Sequence, residues 1–87
     1  MKEWFVYMLR CSDQSLYTGI TIDVERRVQE HNESPQGATY TRSRKLVTLV
    51  YQETHASRSA ATKREMEIKK LSKQEKESLV MKGLITK

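Results

Sequence analysis

The decisive stretch runs Trp4-Phe5-Val6-Tyr7-Met8-Leu9-Arg10-Cys11, then Ser12-Asp13-Gln14-Ser15, then Leu16-Tyr17-Thr18-Gly19-Ile20. The first eight residues are aromatic or apolar with little polar alternation before Arg10, which suits a strand covered on both faces and therefore a central one. Ser12 to Ser15 is a turn signal, and Leu16 to Ile20 is a second short strand, so the two pair as a hairpin. The turn decides which faces the tyrosines share. A three-residue loop at Ser12-Asp13-Gln14 pairs Cys11 with Ser15, sets Tyr17 opposite Leu9, and puts Tyr7 and Tyr17 on one face. A two-residue loop puts them on opposite faces. The longer loop wants glycine at its left-handed position, where this chain has Gln14.

Further along, Asp23 is an N-cap for a helix over residues 24–33. Residues 33–45 are loop-like, with Pro35, Gly37 and several hydroxyl residues. Leu46 to Tyr51 reads as a third strand. Ser57 or Ser59 caps a helix running to about Leu71. Ser72-Lys73-Gln74-Glu75 has the form of a capping box, which starts a last helix carrying Leu79, Val80 and Leu84. The order is β-β-α-β-α-α, an α+β fold with a three-stranded antiparallel sheet flanked by helices. No repeat or linker divides the chain, so residues 1–87 read as one domain.

Composition narrows the function. A chain of 87 residues buries roughly 60% of its unfolded surface, which leaves a thin core and no room for separate recognition and catalytic domains. Cys11 is the one cysteine, which excludes an intramolecular disulfide and a zinc-ligand spacing. A reduced thiol fits the cytoplasm. Lys2-Glu3 and a short apolar run ending at Arg10 do not read as a signal peptide, and no stretch reaches membrane-spanning length. The net charge is +5, and residues 57–87 hold nine basic and four acidic groups against seven of each in residues 1–56. That excess suits a phosphate-rich partner through counterion release, although a solvated lysine-rich helix face gives the same count.

The helices carry the candidate chemistry. Val24, Arg27, Val28 and His31 follow the i, i+3, i+4, i+7 spacing of one stripe. The valines turn that stripe toward the sheet, so Arg27 and His31 point inward or to a rim, where an unpaired charge is costly. The bland alternative is an arginine that snorkels to solvent and a histidine that ends the helix. On the second helix Ala61, Glu65 and Ile68 share a face, which singles out Glu65 as the inward carboxylate; its bland reading is a surface pair with Lys69. Each tyrosine has an equally bland reading as a core aromatic with its hydroxyl at the surface.

Val6-Tyr7-Met8 followed by Tyr17-Thr18-Gly19 resembles the paired tripeptide signature of the GIY-YIG nuclease superfamily. Arg27 with His31 is similar to that superfamily's arginine segment, and Arg64-Glu65 with Ile68-Lys69 resembles its glutamate-bearing helix. The resemblance spans about Trp4 to Leu79 and is nearest to small stand-alone bacterial members. It implies a site that gathers Tyr7, Tyr17, Arg27, His31 and Glu65 on one surface and hydrolyses DNA phosphodiester bonds, in repair or processing. Glu65 would bind one Mg²⁺ or Mn²⁺, Arg27 would clamp the phosphate, and Tyr17 rather than Tyr7 would position or deprotonate the attacking water with help from His31. An ordinary tyrosine titrates near pH ~10, so such a base needs a nearby cation. Some members carry a lysine for that purpose where this chain has Ile20.

Gly19 allows close backbone approach by a ligand, and Tyr40, Arg42, Arg44 and Lys45 form a basic loop with one aromatic, able to contact nucleic acid together with Lys69. DNA is the expected partner, RNA a second one, and a protein partner or self-association would supply specificity. Two other classes stay open: a DNA- or RNA-binding module of the same fold without efficient cleavage, and a protein-interaction module with its basic helices docked on an acidic partner.

Overall fold

The apolar run that opens the chain becomes strand β1, Trp4–Cys11, the middle strand of an antiparallel sheet ordered β2-β1-β3. The computed structural model describes residues 3–33 and 47–85. Val6, Met8 and Leu9 are wholly buried, as expected of a strand covered on both faces. Side-chain alternation divides the core in two. Val6 and Met8 pack with Ala61, Ile68 and Val80, while Tyr7, Leu9 and Cys11 pack with Val24 and Val47.

Strand β2 spans Leu16–Thr21 and joins β1 through the three-residue loop. The Cys11 amide donates to the Ser15 carbonyl at 2.9 Å, Leu9 stands opposite Tyr17, and Tyr7 stands opposite Gly19. Gln14 takes the left-handed conformation, with φ 72°, a conformation that a non-glycine residue adopts at some cost. Its surroundings offset that cost. The Asp13 carboxylate accepts from the Ser15 amide at 3.0 Å and from its hydroxyl at 2.6 Å, and the Gln14 carbonyl accepts from Lys73 at 3.2 Å.

Helix α1 covers Val24–Glu33 and starts where Asp23 Oδ1 accepts the Arg26 amide at 3.1 Å. It lies on the face of Tyr7 and Leu9, against β1 and β3. Near its end, the Asn32 side chain accepts from the Val47 amide at 2.6 Å and donates to the Val47 carbonyl at 3.2 Å.

Strand β3 differs from the sequence expectation. It spans Val47–His55 rather than ending at Tyr51, and pairs with β1 as far as His55 opposite Trp4. The extra residues, Gln52 to His55, are polar, which hides the strand in the sequence. They are tolerated because the inward Glu53 is fully engaged. It accepts from the Tyr51 hydroxyl, meets His55 Nε2 at 2.9 Å and receives Arg64 Nε at 3.0 Å. A register shift between Met8 and Leu9 leaves Val50 as an extra residue in β3, a local bulge.

Helix α2, Arg58–Lys69, begins at Ser57, whose hydroxyl accepts the Ala60 amide at 3.1 Å. It stops short of Leu71. Helix α3, Lys73–Ile85, begins at the expected capping box: Glu75 accepts the Ser72 amide at 2.8 Å, and Ser72 accepts the Glu75 amide at 3.1 Å. Val80 enters the core; the Leu84 side chain lies outside the described residues. Both helices pack on the Val6 and Met8 face. Arg10 fixes α3 to β1 with a two-pronged bond to Glu77 at 2.5 and 2.7 Å, the fork geometry that arginine provides.

Among the described residues, no helix is long and apolar enough to cross a membrane. Removing one half of the capping box tests how far α3 depends on it. Ser72→Ala is expected to cost about 1 kcal/mol, seen as a fall in midpoint of roughly 4–8 °C by circular dichroism. An unchanged midpoint would show that packing alone holds the start of α3.

Candidate active site

The three-residue hairpin loop puts Tyr7 of β1 and Tyr17 of β2 on one sheet face, and the stripe of α1 brings His31 down onto both. The two phenol rings lie 6.3 Å apart, and the imidazole sits 6.3 Å from Tyr7 and 5.1 Å, edge-on, from Tyr17. Tyr7 Oη and His31 Nε2 are 3.3 Å apart. Tyr7 is 1% and His31 3% exposed, while Tyr17 is half-buried. Buried valines at Val24 and Val47, with the partly buried Val28 packed beside them, hold α1 against this face.

Gly19 makes the arrangement fit. A Cβ there would stand 2.7 Å from the Tyr7 hydroxyl oxygen and 2.9 Å from its ring carbon. The space opened by the missing side chain is taken by the tyrosine of the neighbouring strand, a cross-strand use of glycine. The close approach that glycine permits in this strand is made here by the chain's own Tyr7.

Burial and Arg27 set the electrostatics. Burial pushes the Tyr7 hydroxyl up to about 12, although the Arg27 guanidinium opposes that shift. Arg27 in turn is held more firmly charged, chiefly by the Tyr7 hydroxyl and further by Glu30, whose carboxylate it meets at 3.1 Å. The His31 imidazole is pushed down from its ordinary value by burial first and then by Arg27, with Glu30 opposing. A neutral phenol therefore faces a neutral imidazole, beside a permanent cation that is 39% exposed. With its proton on Nδ1, His31 accepts from Tyr7 through Nε2.

Glu65 occupies a different layer. It rises from α2, on the Val6 and Met8 side of the sheet, is 18% exposed, and meets Lys69 at 3.3 Å. No hydrogen bond or ion pair joins it to Tyr7, Tyr17, Arg27 or His31 among the described residues. The structure thus gathers four of the five expected residues directly. The fifth is related to them through β2, an edge strand and the one against which α2 packs most extensively. Ile20 also faces the α2 side, at the margin of that core cluster, so it points away from the tyrosines. Tyr40, Arg42, Arg44 and Lys45 lie outside the described residues, and Lys69 is exposed.

Among the described residues, no group of three or more histidine, cysteine or acidic side chains could hold a metal ion. A site built on Glu65 would therefore use one carboxylate completed by water. Glu30 joins the site as a residue not expected there, although its i+3 spacing from Arg27 marks it as a partner. The network of Tyr51, Glu53, His55 and Arg64 was likewise not expected, its local signal being the alternation of Tyr51, Glu53 and His55 along β3.

Two measurements probe this arrangement. Gly19→Ala should destabilise the fold by about 1–3 kcal/mol through overpacking, with part of the loss recovered in a Gly19→Ala/Tyr7→Phe double variant. Strict additivity of the two changes in thermal melts would refute the contact. Because the folded imidazole binds its proton less readily than the unfolded one, His31 contributes stability above pH ~6.5 that is lost as pH falls from there through its lower folded value. The melting temperature should drop between neutral pH and pH ~5, and drop less in His31→Gln. Equal slopes in the two proteins would place the imidazole in solvent.

The chain is similar to known proteins over most of its length. The GIY-YIG catalytic domain family matches residues 3–78. A UPF0213 protein of Desulfotalea psychrophila is 57% identical over 77 residues, covering 88% of this chain and 70% of that protein. A UPF0213 protein of Syntrophus aciditrophicus is 50% identical, covering 92% of each. The solution structure of a UPF0213 protein from Bacillus halodurans superposes with TM-score 0.60 at 45% identity, over 93% of this chain and 86% of that one. A second solution structure, of a protein from E. faecalis, gives TM-score 0.63 at 41% identity, over 97% and 90%. The expected fold and the paired tyrosine motifs have the same explanation: this chain belongs to the GIY-YIG catalytic domain family.

Proposed function

We propose that this protein is a divalent-metal-dependent endonuclease that hydrolyses DNA phosphodiester bonds in repair or processing. The observation that carries the reading is the convergence of Tyr7, Tyr17 and His31 beside the partly exposed Arg27. Arg27 is the cation that receives the scissile phosphate and stabilises the charge that develops on it. Tyr7, held protonated at about 12, is no base near neutral pH; it donates a hydrogen bond and keeps His31 in one orientation. Tyr17 reaches toward solvent and orients the attacking water, and the neutral imidazole, its Nε2 engaged by Tyr7, packs edge-on against the Tyr17 ring and holds it in place. Ile20 is turned to the other face and supplies no cation to the phenols.

Glu65 suits Mg²⁺ or Mn²⁺ as a half-buried carboxylate whose ion-pair partner, Lys69, is flexible and exposed, completed by water as these hard cations prefer. When bound, the ion supplies Lewis-acid stabilisation of the leaving oxygen. The excess of basic residues in the C-terminal third supports a polyanionic substrate. A second reading, a nucleic-acid-binding module with little cleavage, draws support from the Glu65 to Lys69 pair, which partly neutralises the carboxylate, and from Ile20.

Cleavage of supercoiled, single-stranded and branched DNA with Mg²⁺ or Mn²⁺ separates the two. Wild type should cut, Glu65→Ala and Arg27→Ala should each lose about 100-fold or more, and Tyr17→Phe should lose more than Tyr7→Phe. Equal cutting by wild type and Glu65→Ala would remove Glu65 from the site. Absence of cutting by either, with DNA binding retained, would favour the binding module.

A further inference from the structure

A hollow of about 780 Å³ opens beside the tyrosine cluster, under the first turns of α1 and the ends of β1 and β2. Arg27 belongs to both. Phe5 pairs with Thr21 one same-face step along the ladder from the Tyr7 and Gly19 pair, a displacement of roughly 7 Å. Phe5 is half-buried, and Ile22, a large apolar side chain 42% exposed to solvent, gives the hollow an apolar surface. Its polar walls are Arg26, Arg27 and Glu30 of α1, Asp23 at the start of that helix, and Glu3 ahead of β1. Glu30 meets both arginines, at 3.3 and 3.1 Å.

This mixture is selective. Carboxylates repel a second phosphate, so whatever lies beyond Arg27 is not more of the sugar-phosphate chain. A purely apolar ligand would offer nothing to Glu3, which, unlike Glu30, has no arginine beside it among the described residues. A nucleobase satisfies both demands: its faces are apolar and stack, and its edge carries N–H groups that a carboxylate accepts.

We propose that the hollow seats one unstacked base of a DNA strand, adjacent to the phosphate at Arg27, and prefers a base with an exocyclic amino group. The proposal rests on the nuclease reading only for the phosphate at Arg27. Phe5 and Ile22 hold the face of the base, and Glu3 accepts from its amino edge. Thymine, which presents no amino group, fits less well.

The test uses the full chain in EDTA, so that no turnover occurs, and short single strands that are abasic throughout or carry one base in the middle. Binding is read by fluorescence anisotropy. A single cytosine should tighten binding by about fivefold to tenfold over the base-free strand, and a single thymine by less. Ile22→Ser, a change at an exposed turn residue, should remove the cytosine gain and leave the base-free strand within about twofold of wild type; Glu3→Gln should remove the preference for cytosine over thymine. Equal binding of base-free and single-base strands, or a cytosine gain that survives Ile22→Ser, would overturn the proposal. The phosphate reading fails separately, if Arg27→Ala binds the base-free strand as tightly as wild type, and the nuclease reading fails only in the metal-dependent cleavage assay.

Discussion

The left-handed turn at Gln14 fixes the hairpin register, and the register fixes the rest of the tyrosine face. Because side chains alternate along a strand, slipping β2 by one residue would send Tyr17 to the α2 side and bring a different side chain over Tyr7. The observed register instead sets Gly19 opposite Tyr7, and the ring fills the room that a Cβ would take. His31 then closes over both phenols from α1. The chain holds the strained residue with local bonds from Asp13 and Arg10 and a long-range one from Lys73. The hairpin tip is thereby tied to α3, while α3 is tied to β1 through Arg10 and Glu77. A geometric demand at one turn is met by residues about sixty positions away.

Charge is distributed around this face with a definite logic. Two groups that could ionise near neutral or alkaline pH, Tyr7 and His31, are held neutral by burial, while the always-charged Arg27 keeps contact with solvent. Neutral partners avoid the desolvation cost of a buried ion pair, and the partly exposed guanidinium keeps its charge in contact with solvent. The other polar cluster, around Glu53, is built differently. There the carboxylate stays below its usual range because Tyr51, His55 and Arg64 bond to it against the opposing effect of burial. It anchors the polar end of β3 to α2.

Much of this was legible in the chain. The caps at Asp23 and Ser72 announced where two helices begin, and Ser57 was one of two candidates for the third, since each short side chain satisfies a free amide locally. The central position of β1 followed from its unbroken apolar run. What could not be read were relations that depend on distant partners. The facing of the tyrosines hung on a turn with two allowed lengths. The end of β3 was hidden because Glu53 and His55 look like loop residues until Arg64 is known to lie above them. Helical periodicity marked Glu65 as inward-facing, but a sheet has two sides and periodicity does not say which one a helix covers. The missing Cβ at Gly19 showed that something approaches, without showing that it is the chain's own tyrosine.

The Asn32 side chain bonds both the amide and the carbonyl of Val47, so a single residue imitates a strand partner at the start of β3. It follows that the chain leaves α1 and re-enters the sheet at nearly one point. Ring closure of such a segment costs only about 0.6 kcal/mol more for each doubling of its length. Residues added between these two anchors would leave His31 and β3 where they are, so this is the place where the fold can acquire new recognition elements without retuning its chemistry.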